Sequence, residues 1–216
     1  MLTSRATHLC LVALLGYTGG LGVWAIASDN RPTATDSIFV DAANMREMLD
    51  AGVDGAGWSR WLRSTGYRPP LSYLPHVALS HVAGESVAGL RLTTLAMYLL
   101  AVWLCHAIGA RVAGREAGLL GATMAATLPM VFGWGRMDYA DTSVALALLA
   151  TVRLLLDAEL ARPRHALGLG VVVGLGMLTK VAFPIFLLGP LVWALALRLR
   201  TRRQLLGFGV VVASAA

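Results

Sequence analysis

The sequence predicts an all-α fold, a polytopic bundle of membrane-spanning helices, and two observations predict it. The 216 residues are 57% hydrophobic and 14% charged, with a mean hydropathy of +0.67, whereas a soluble domain is roughly 45–50% apolar and about 25% charged. The charged residues also fall between long apolar runs. These features are typical of a chain embedded in a lipid bilayer.

Six complete apolar spans and the start of a seventh follow one another along the chain. A helix needs roughly 20 mostly apolar residues to cross the hydrocarbon core. The predicted spans are residues 9–27, 87–109, 117–135, 141–160, 166–183 and 184–197, and the incomplete one is 205–216. Because the sequence ends inside an apolar run, we expect residues 1–216 to be a single transmembrane domain from the N-terminal part of a longer, truncated chain.

The positions of the arginines predict how the spans are oriented. Every second connection is basic, through Arg5, Arg111, Arg115, Arg162, Arg164, Arg198, Arg200, Arg202 and Arg203. Basic connections face the cytoplasm, so the N-terminus is expected inside and residues 28–86, 136–140 and 180–184 outside. This topology accounts for the pI near 10.0 without nucleic acid as a partner, because the arginines form no single basic face with interleaved aromatic residues.

The first apolar run is interpreted as a retained helix. "WAIAS" at residues 24–28 is similar to a signal-peptidase site, which leaves a cleaved signal sequence as the alternative. The run of 19 residues is longer than the roughly 7–15 of a signal sequence, and this favours the helix. Residues 28–86 lie outside in either case.

The outer loop, residues 28–86, contains two stretches that are expected to lie at the membrane surface. In "DSIFVDAANMREMLDAG" four apolar residues recur at near-helical spacing between charges, which predicts an amphipathic helix: Ile38, Ala42, Met45 and Met48. The stretch 69–84 is apolar but short and interrupted by prolines. We expect it to pack at the interface rather than to span.

Charged residues at the edges of spans need an explanation, because each costs roughly 2.5–3.5 kcal/mol on insertion scales. Arg153 and Asp157 are four positions apart, and we expect them to pair near the cytoplasmic end of their helix together with Glu159. Asp141 precedes "TSVALALLATV". We expect it to cap that helix with a carboxylate that can also face a site.

Lys180, in "GMLTKVAFP", is the single lysine of the chain. Taken alone, it is interpreted as an interfacial residue whose ammonium group reaches into water. The glycines before it lack the spacing of a phosphate-binding loop, and Gly170 and Gly174 predict close helix packing instead. Cys10 and Cys105 lie inside apolar runs and indicate neither a disulfide framework nor a metal site.

The predicted topology brings seven charged residues to one side of the membrane: Asp36, Asp41, Arg68, Arg136, Asp138, Asp141 and Lys180. Carboxylates and cations at one membrane face can bind a phosphate-bearing lipid and take part in proton transfer. The cluster is therefore a candidate active site.

Six segments carry a resemblance to a known family, and they occur in its order: "TDSIF", "RPPLSYL", "GESVAGLR", "GREAGLLGATMAATLP", "GRMDYADTSVALALL" and "GLGMLTKVAFPIFLLGPL". From about residue 30 onward the chain resembles the N-terminal half of the GT-C type integral membrane glycosyltransferases. These enzymes use polyprenyl-phosphate sugars, and they include the protein O-mannosyltransferases of glycosyltransferase family 39 and the aminoarabinose transferase of lipid A.

The resemblance implies roles for particular residues. Asp36 matches the first-loop acidic residue that acts as general base on the acceptor or positions it, and Asp141 matches a second acidic residue of the same site. Arg68 and Lys180 match cations that contact the lipid-linked phosphate. The family has Asp-Glu where this chain has Asp36 followed by serine, which leaves Asp41 as the alternative to Asp36.

The implied reaction is a one-step, inverting transfer of a hexose or pentose from a polyprenyl-phosphate-linked donor to a lipid, glycan or protein acceptor. The expected location is a bacterial inner (plasma) membrane, with the active face periplasmic or extracellular. The cofactor is unknown: some relatives use a divalent cation, and the sequence has no metal signature.

Two alternatives to an active transferase stay open. One is a transporter or flippase subunit, although the sequence shows neither midplane charges nor an internal repeat. The other is an inactive fragment of such a transferase, because the family's enzymes have more spans and often a further domain outside the membrane.

Overall fold

The computed structural model describes residues 4–29, 48, 70–84, 86–134, 141–157, 161–198 and 202–215. Within these ranges every regular element is helical. A short 3-10 helix, Pro70–Ser72, follows the first α-helix. The α-helices are α1 Ser4–Ser28, α2 Leu74–Ala83, α3 Val87–Ala113, α4 Arg115–Thr127, α5 Pro129–Trp134, α6 Asp141–Asp157, α7 Pro163–Met177, α8 Phe183–Arg198 and α9 Arg202–Ala215.

The lengths of the helices bear out only part of the predicted span pattern. The helices α1 and α3 have 25 and 27 residues and are long and apolar enough to cross a membrane. The helices at the other four complete spans, α4, α6, α7 and α8, have 13, 17, 15 and 16 residues, which is short of the roughly 20 that a span needs. Six complete spans therefore stay a prediction.

The third predicted span, 117–135, is interrupted at Leu128. Leu128 has extended backbone angles, φ −60° and ψ 118°, because the ring of the following proline disfavours the helical conformation in the residue before it. The helix α4 consequently ends at Thr127, and α5 begins at Pro129. The average hydropathy of the segment does not reveal this break, because the segment stays apolar on average across the leucine and the proline.

The first hydrophobic core joins α1, α3 and α4. Its buried members are Leu11, Ile26, Leu95, Tyr98, Val102, Ala122 and Ala126. The Tyr98 hydroxyl group lies 3.2 Å and 3.1 Å from the carbonyl oxygens of Ala125 and Ala126. Those carbonyls belong to the last turn of α4, where helical partners are missing, so the tyrosine supplies a donor there.

The second hydrophobic core joins α6, α7, α8 and α9. Its buried members are Val144, Leu155, Ala166, Leu169, Val173, Phe183, Leu187 and Val211. The helices α7 and α9 approach closely at Gly170, where an added Cβ would overlap Ser214 and lie 2.7 Å from the Val211 carbonyl oxygen. The prediction that Gly170 serves close helix packing is confirmed.

The segment 70–84 packs against the bundle as a short satellite. Tyr73 and Val77 are buried together with Met48, and Leu90 of α3 covers them. The expectation that this stretch packs without spanning agrees with its 3-10 helix and its ten-residue helix α2. Apart from Met48, the amphipathic helix predicted around residues 38–48 lies outside the described residues.

Candidate functional site

Lys180 lies in the turn between α7 and α8, and the local sequence explains the turn. The helix α7 stops at Met177, and the Thr179 N–H and hydroxyl groups both donate to the Gly176 carbonyl oxygen, at 3.0 Å and 2.5 Å. The Phe183 N–H then donates to the Lys180 carbonyl oxygen at 2.9 Å as α8 begins. The lysine is thus held between two helix ends, with its backbone fixed on both sides.

Asp141 and Lys180 form an ion pair, in which Lys180 Nζ donates to Asp141 Oδ1. Asp141 is the first residue of α6, where the positive end of the helix dipole favours a carboxylate. The two side chains keep 38% and 42% of their surface exposed, so a ligand can reach both. The structure therefore brings together two of the residues that the sequence predicted for the site.

The other five predicted site residues, Asp36, Asp41, Arg68, Arg136 and Asp138, lie outside the described residues. Their proposed places in the site stay predictions. Arg68 is two positions before the described 3-10 helix, and Asp138 is three positions before α6. Both are therefore close in sequence to elements that meet at the Lys180 turn.

The 3-10 helix Pro70–Ser72 is bonded directly to the Lys180 turn. The Leu71 N–H donates to the Leu178 carbonyl oxygen at 3.0 Å, and the Ser72 hydroxyl donates to the Thr179 carbonyl oxygen. Ser143 of α6 donates to the Ser72 carbonyl oxygen at 3.3 Å. Sequence reasoning missed these contacts, although the residues lie in three of the segments that carry the resemblance: "RPPLSYL", "GRMDYADTSVALALL" and "GLGMLTKVAFPIFLLGPL".

A buried histidine lies beside this junction. His76 of α2 is 1% exposed, and its Nε2 atom is 3.0 Å from the Thr94 hydroxyl of α3. Burial lowers the pKa of His76 to about 4, against a smaller opposite effect of a backbone hydrogen bond with Ser72. The imidazole is consequently neutral near pH 7, and it links the satellite segment to α3.

A buried arginine joins the end of α1 to α3. Arg91 is 4% exposed, and its Nη1 atom donates to the Asp29 carbonyl oxygen at 3.0 Å. Asp29 directly follows α1, and Arg91 lies in the second turn of α3. The charge pattern of the sequence does not reveal this contact, because the partner of Arg91 is a backbone carbonyl.

The opposite end of α6 carries a second cluster of charges. Asp157 accepts hydrogen bonds from Arg111 Nε at 2.9 Å and from Arg153 Nη1. The predicted pairing of Arg153 with Asp157 is confirmed, while Glu159 lies outside the described residues. A carboxylate at a helix C-terminus opposes the dipole, and the two arginines offset that cost.

The described residues contain no group of three or more histidine, cysteine, aspartate or glutamate side chains that could hold a metal ion. The candidate site itself presents one partly open cation, Lys180, beside one partly open carboxylate, Asp141. Such a pair can bind an anion through the ammonium group and orient a hydroxyl group through the carboxylate.

Comparison with known proteins identifies the family. The model of the dolichyl-phosphate-mannose-protein mannosyltransferase family matches residues 67–216, which include the 3-10 helix, Asp141 and Lys180. Neither a curated protein nor a solved structure gives a significant match. The family match confirms the resemblance to GT-C type glycosyltransferases. The chain therefore belongs to the dolichyl-phosphate-mannose-protein mannosyltransferase family, a family of membrane glycosyltransferases.

Proposed function

We propose that the chain transfers a sugar from a polyprenyl-phosphate-linked donor to an acceptor at the outer face of a bacterial inner membrane. The Lys180–Asp141 pair at the junction of α6, α7 and the 3-10 helix carries this proposal. The family supports a mannosyltransferase-like activity, so mannose is the first sugar to test. The acceptor is a lipid, a glycan or a protein.

Lys180 is proposed to bind the phosphate of the donor. The leaving group of the transfer is a polyprenyl phosphate, and negative charge grows on its oxygens as the bond to the sugar breaks. A fixed ammonium group stabilises that charge, and more strongly where water is partly excluded. The half-exposed Lys180 side chain suits this role, and Arg68, from the segment just before the 3-10 helix, is proposed as a second cation.

Asp141 and Asp36 are proposed as the acidic residues of the reaction. Asp36 would take the proton from the acceptor as its nucleophile attacks the anomeric carbon, and attack opposite the phosphate inverts the configuration there. Asp141 would orient the acceptor and hold the Lys180 ammonium group. Asp41, Arg136 and Asp138 complete the proposed substrate-binding set, with Asp41 the alternative to Asp36.

The proposed orientation places the N-terminus in the cytoplasm. The helix α6 runs from the Lys180–Asp141 pair at one end to Asp157 at the other, where Arg111 and Arg153 bind that carboxylate. Because basic ends of spans face the cytoplasm, the Lys180 end faces outward. This orientation suits a lipid-linked donor that is presented in the outer leaflet.

The test of the proposed function is a transfer assay in nanodiscs with the full chain and polyprenyl-phosphate mannose. Release of polyprenyl phosphate is measured for wild type, Asp36→Ala, Asp141→Ala and Lys180→Ala. We expect each variant to lose at least about 100-fold in rate, as removal of a charge-stabilising group does elsewhere. Arg111→Ala, which removes one cation at the other end, is the matched control and should keep its rate.

Two results would contradict the proposal. Wild-type rates in Asp141→Ala or Lys180→Ala would remove that residue from the site. In sealed vesicles, movement of the lipid from one leaflet to the other without release of polyprenyl phosphate would favour the flippase alternative.

A further inference from the structure

The turn that carries Lys180 is anchored by residues far away in sequence. Two consecutive carbonyl groups of the turn, on Leu178 and Thr179, accept hydrogen bonds from two consecutive residues, Leu71 and Ser72. Each of these carbonyl groups thus has a donor from outside the turn. The position of the turn therefore depends on the 3-10 helix, which is 107 positions away at the Ser72–Thr179 bond.

Ser72 also reaches the helix that begins with Asp141. Its carbonyl oxygen accepts from the Ser143 hydroxyl at 3.3 Å, and Ser143 lies two residues after Asp141. One residue thus bonds both to the neighbour of Lys180 and to the first turn of α6. Displacement of Ser72 would alter the distance between the two charged side chains from both sides.

These hydrogen bonds are buried, which increases their structural effect. Ser72, Thr179 and Ser143 are 1%, 4% and 6% exposed, respectively. A buried carbonyl that loses its donor cannot bond to water instead, so the cost of removing the donor exceeds the average value of a hydrogen bond. The Lys180 and Asp141 side chains, by contrast, remain partly open.

We propose that Ser72 is a positioning residue that sets the Lys180 ammonium group against Asp141, through the Thr179 carbonyl and through Ser143. The inference deepens the proposed function and rests on it where it concerns the donor phosphate. Ser72 acts through the backbone of the turn and takes no part in the chemistry. In Ser72→Ala the turn retains the Leu71–Leu178 bond and its own hydrogen bonds at Gly176 and Lys180, so the fold persists while Lys180 is held less closely against Asp141.

The single lysine permits a direct test that needs no donor. The full chain in nanodiscs is acylated with an amine-reactive ester, and mass spectrometry follows the peptide that contains Lys180. The ion pair with Asp141 shields the amine, so Ser72→Ala should raise the labelling rate by up to about 5-fold, the largest protection that a partly exposed ion pair gives. Asp141→Asn gives the rate of the unpaired lysine.

The control and a second variant keep the labelling test decisive. Thr123→Ala removes a hydroxyl that donates within α4 to the Leu119 carbonyl oxygen at 2.9 Å, and it should leave the rate unchanged. Ser143→Ala should raise the labelling rate less than Ser72→Ala does. If Ser72→Ala does not insert into the membrane, Ser143→Ala takes its place in the test. If the labelling rate of Lys180 is unchanged in whichever serine variant inserts into the membrane, the proposal is overturned.

A double-mutant cycle separates positioning from a general structural role. Binding of polyprenyl phosphate to the protein in nanodiscs is measured for wild type, Ser72→Ala, Lys180→Ala and the double variant. We expect Ser72→Ala to weaken binding about 3- to 10-fold with Lys180 present, and to have no effect without it. Equal weakening in both backgrounds overturns the positioning role.

The two experiments also distinguish this proposal from the proposed function. If Lys180→Ala binds polyprenyl phosphate like wild type, the phosphate contact of Lys180 is wrong. Faster labelling of Lys180 in Ser72→Ala would still establish that Ser72 positions the lysine, and unchanged labelling would overturn that as well.

Discussion

Lys180 and Asp141 are 39 positions apart in sequence, yet the ammonium group of one donates to the carboxylate of the other. The contact joins the turn after α7 to the first residue of α6. Both side chains are partly exposed, and an ion pair of this kind contributes only about 0–1 kcal/mol to stability. Stability alone therefore gives little reason for placing the chain's single lysine here.

A charge swap separates the structural from the functional part of this pair. In Asp141→Lys with Lys180→Asp the ion pair can form again, so the thermal unfolding temperature in detergent should recover part of the loss seen in the single variants. Binding of polyprenyl phosphate should not return, because the cation then starts α6, where the helix dipole disfavours it, and has left the turn. Wild-type binding by the swapped variant would contradict a specific role for Lys180.

Gly176 should be intolerant of a side chain. A Cβ there would overlap the ring of Phe183, which is 0% exposed, and overpacking of this kind costs about 1–3 kcal/mol. Gly176→Ala should lower the unfolding temperature and disturb the adjacent Lys180 turn. Gly168→Ala is the control on the same helix: a Cβ at Gly168 meets no atom within 4 Å, and alanine is the better helix former, so stability should hold or rise.

His76 should make stability fall in acid. Its pKa is about 4 in the fold and about 6.5 in an unfolded chain, so folding favours the neutral ring. The contribution of the neutral ring to the free energy of unfolding is complete above about pH 6.5. It is lost as the pH falls towards about 4, and the total loss is at most roughly 3 kcal/mol. The thermal unfolding temperatures of wild type and His76→Gln should diverge between about pH 7 and pH 5, because the stability of wild type falls more steeply in acid.

A pH response of equal size in the two proteins would assign the acid sensitivity to other groups. Glutamine can keep a donor near Thr94 and does not titrate, so the comparison isolates the charge of the imidazole. Thr94→Val, which removes the hydroxyl partner of His76, should destabilise the protein at all pH values and serves as the structural reference.

The charge cluster at the Asp157 end should stabilise the fold slightly and leave donor binding unchanged. Asp157→Asn weakens the hydrogen bonds from Arg111 and Arg153, and because these side chains are about a third to a half exposed the loss should be at most about 1 kcal/mol. The difference from wild type should shrink in high salt, since screening acts on exposed pairs. A salt-independent loss would mean that packing accounts for it.

Arginine placement predicted that Asp141 and Lys180 lie on one side of the membrane, and the ion pair between them is consistent with that prediction. Two local patterns also marked these residues, namely an acid before an apolar run at Asp141 and a lysine shortly before a proline at Lys180. They carry over to three dimensions because antiparallel neighbouring helices bring alternate connections to the same end of a bundle. The family match over residues 67–216 agrees with the resemblance to GT-C type glycosyltransferases.

The Ser72 junction and the break at Leu128 could not be obtained in the same way. In the junction, side-chain or amide donors from 71, 72 and 143 meet backbone carbonyls, and every residue has such a carbonyl, so no residue type marks the partner. At Leu128 the ring of the following proline disfavours the helical conformation and ends the helix. Hydropathy does not include this steric effect, so an apolar run gives no sign of it.

The helix α6 carries one carboxylate at its first residue and another at its last, and each is bound to a cation from elsewhere in the fold or in its own last turn. A 17-residue helix held at both ends cannot slide along its axis or rotate without breaking one of these contacts. The helix α6 therefore connects the turn that carries Lys180 to the last turn of α3, and a shift of α6 along its axis would alter both contacts together.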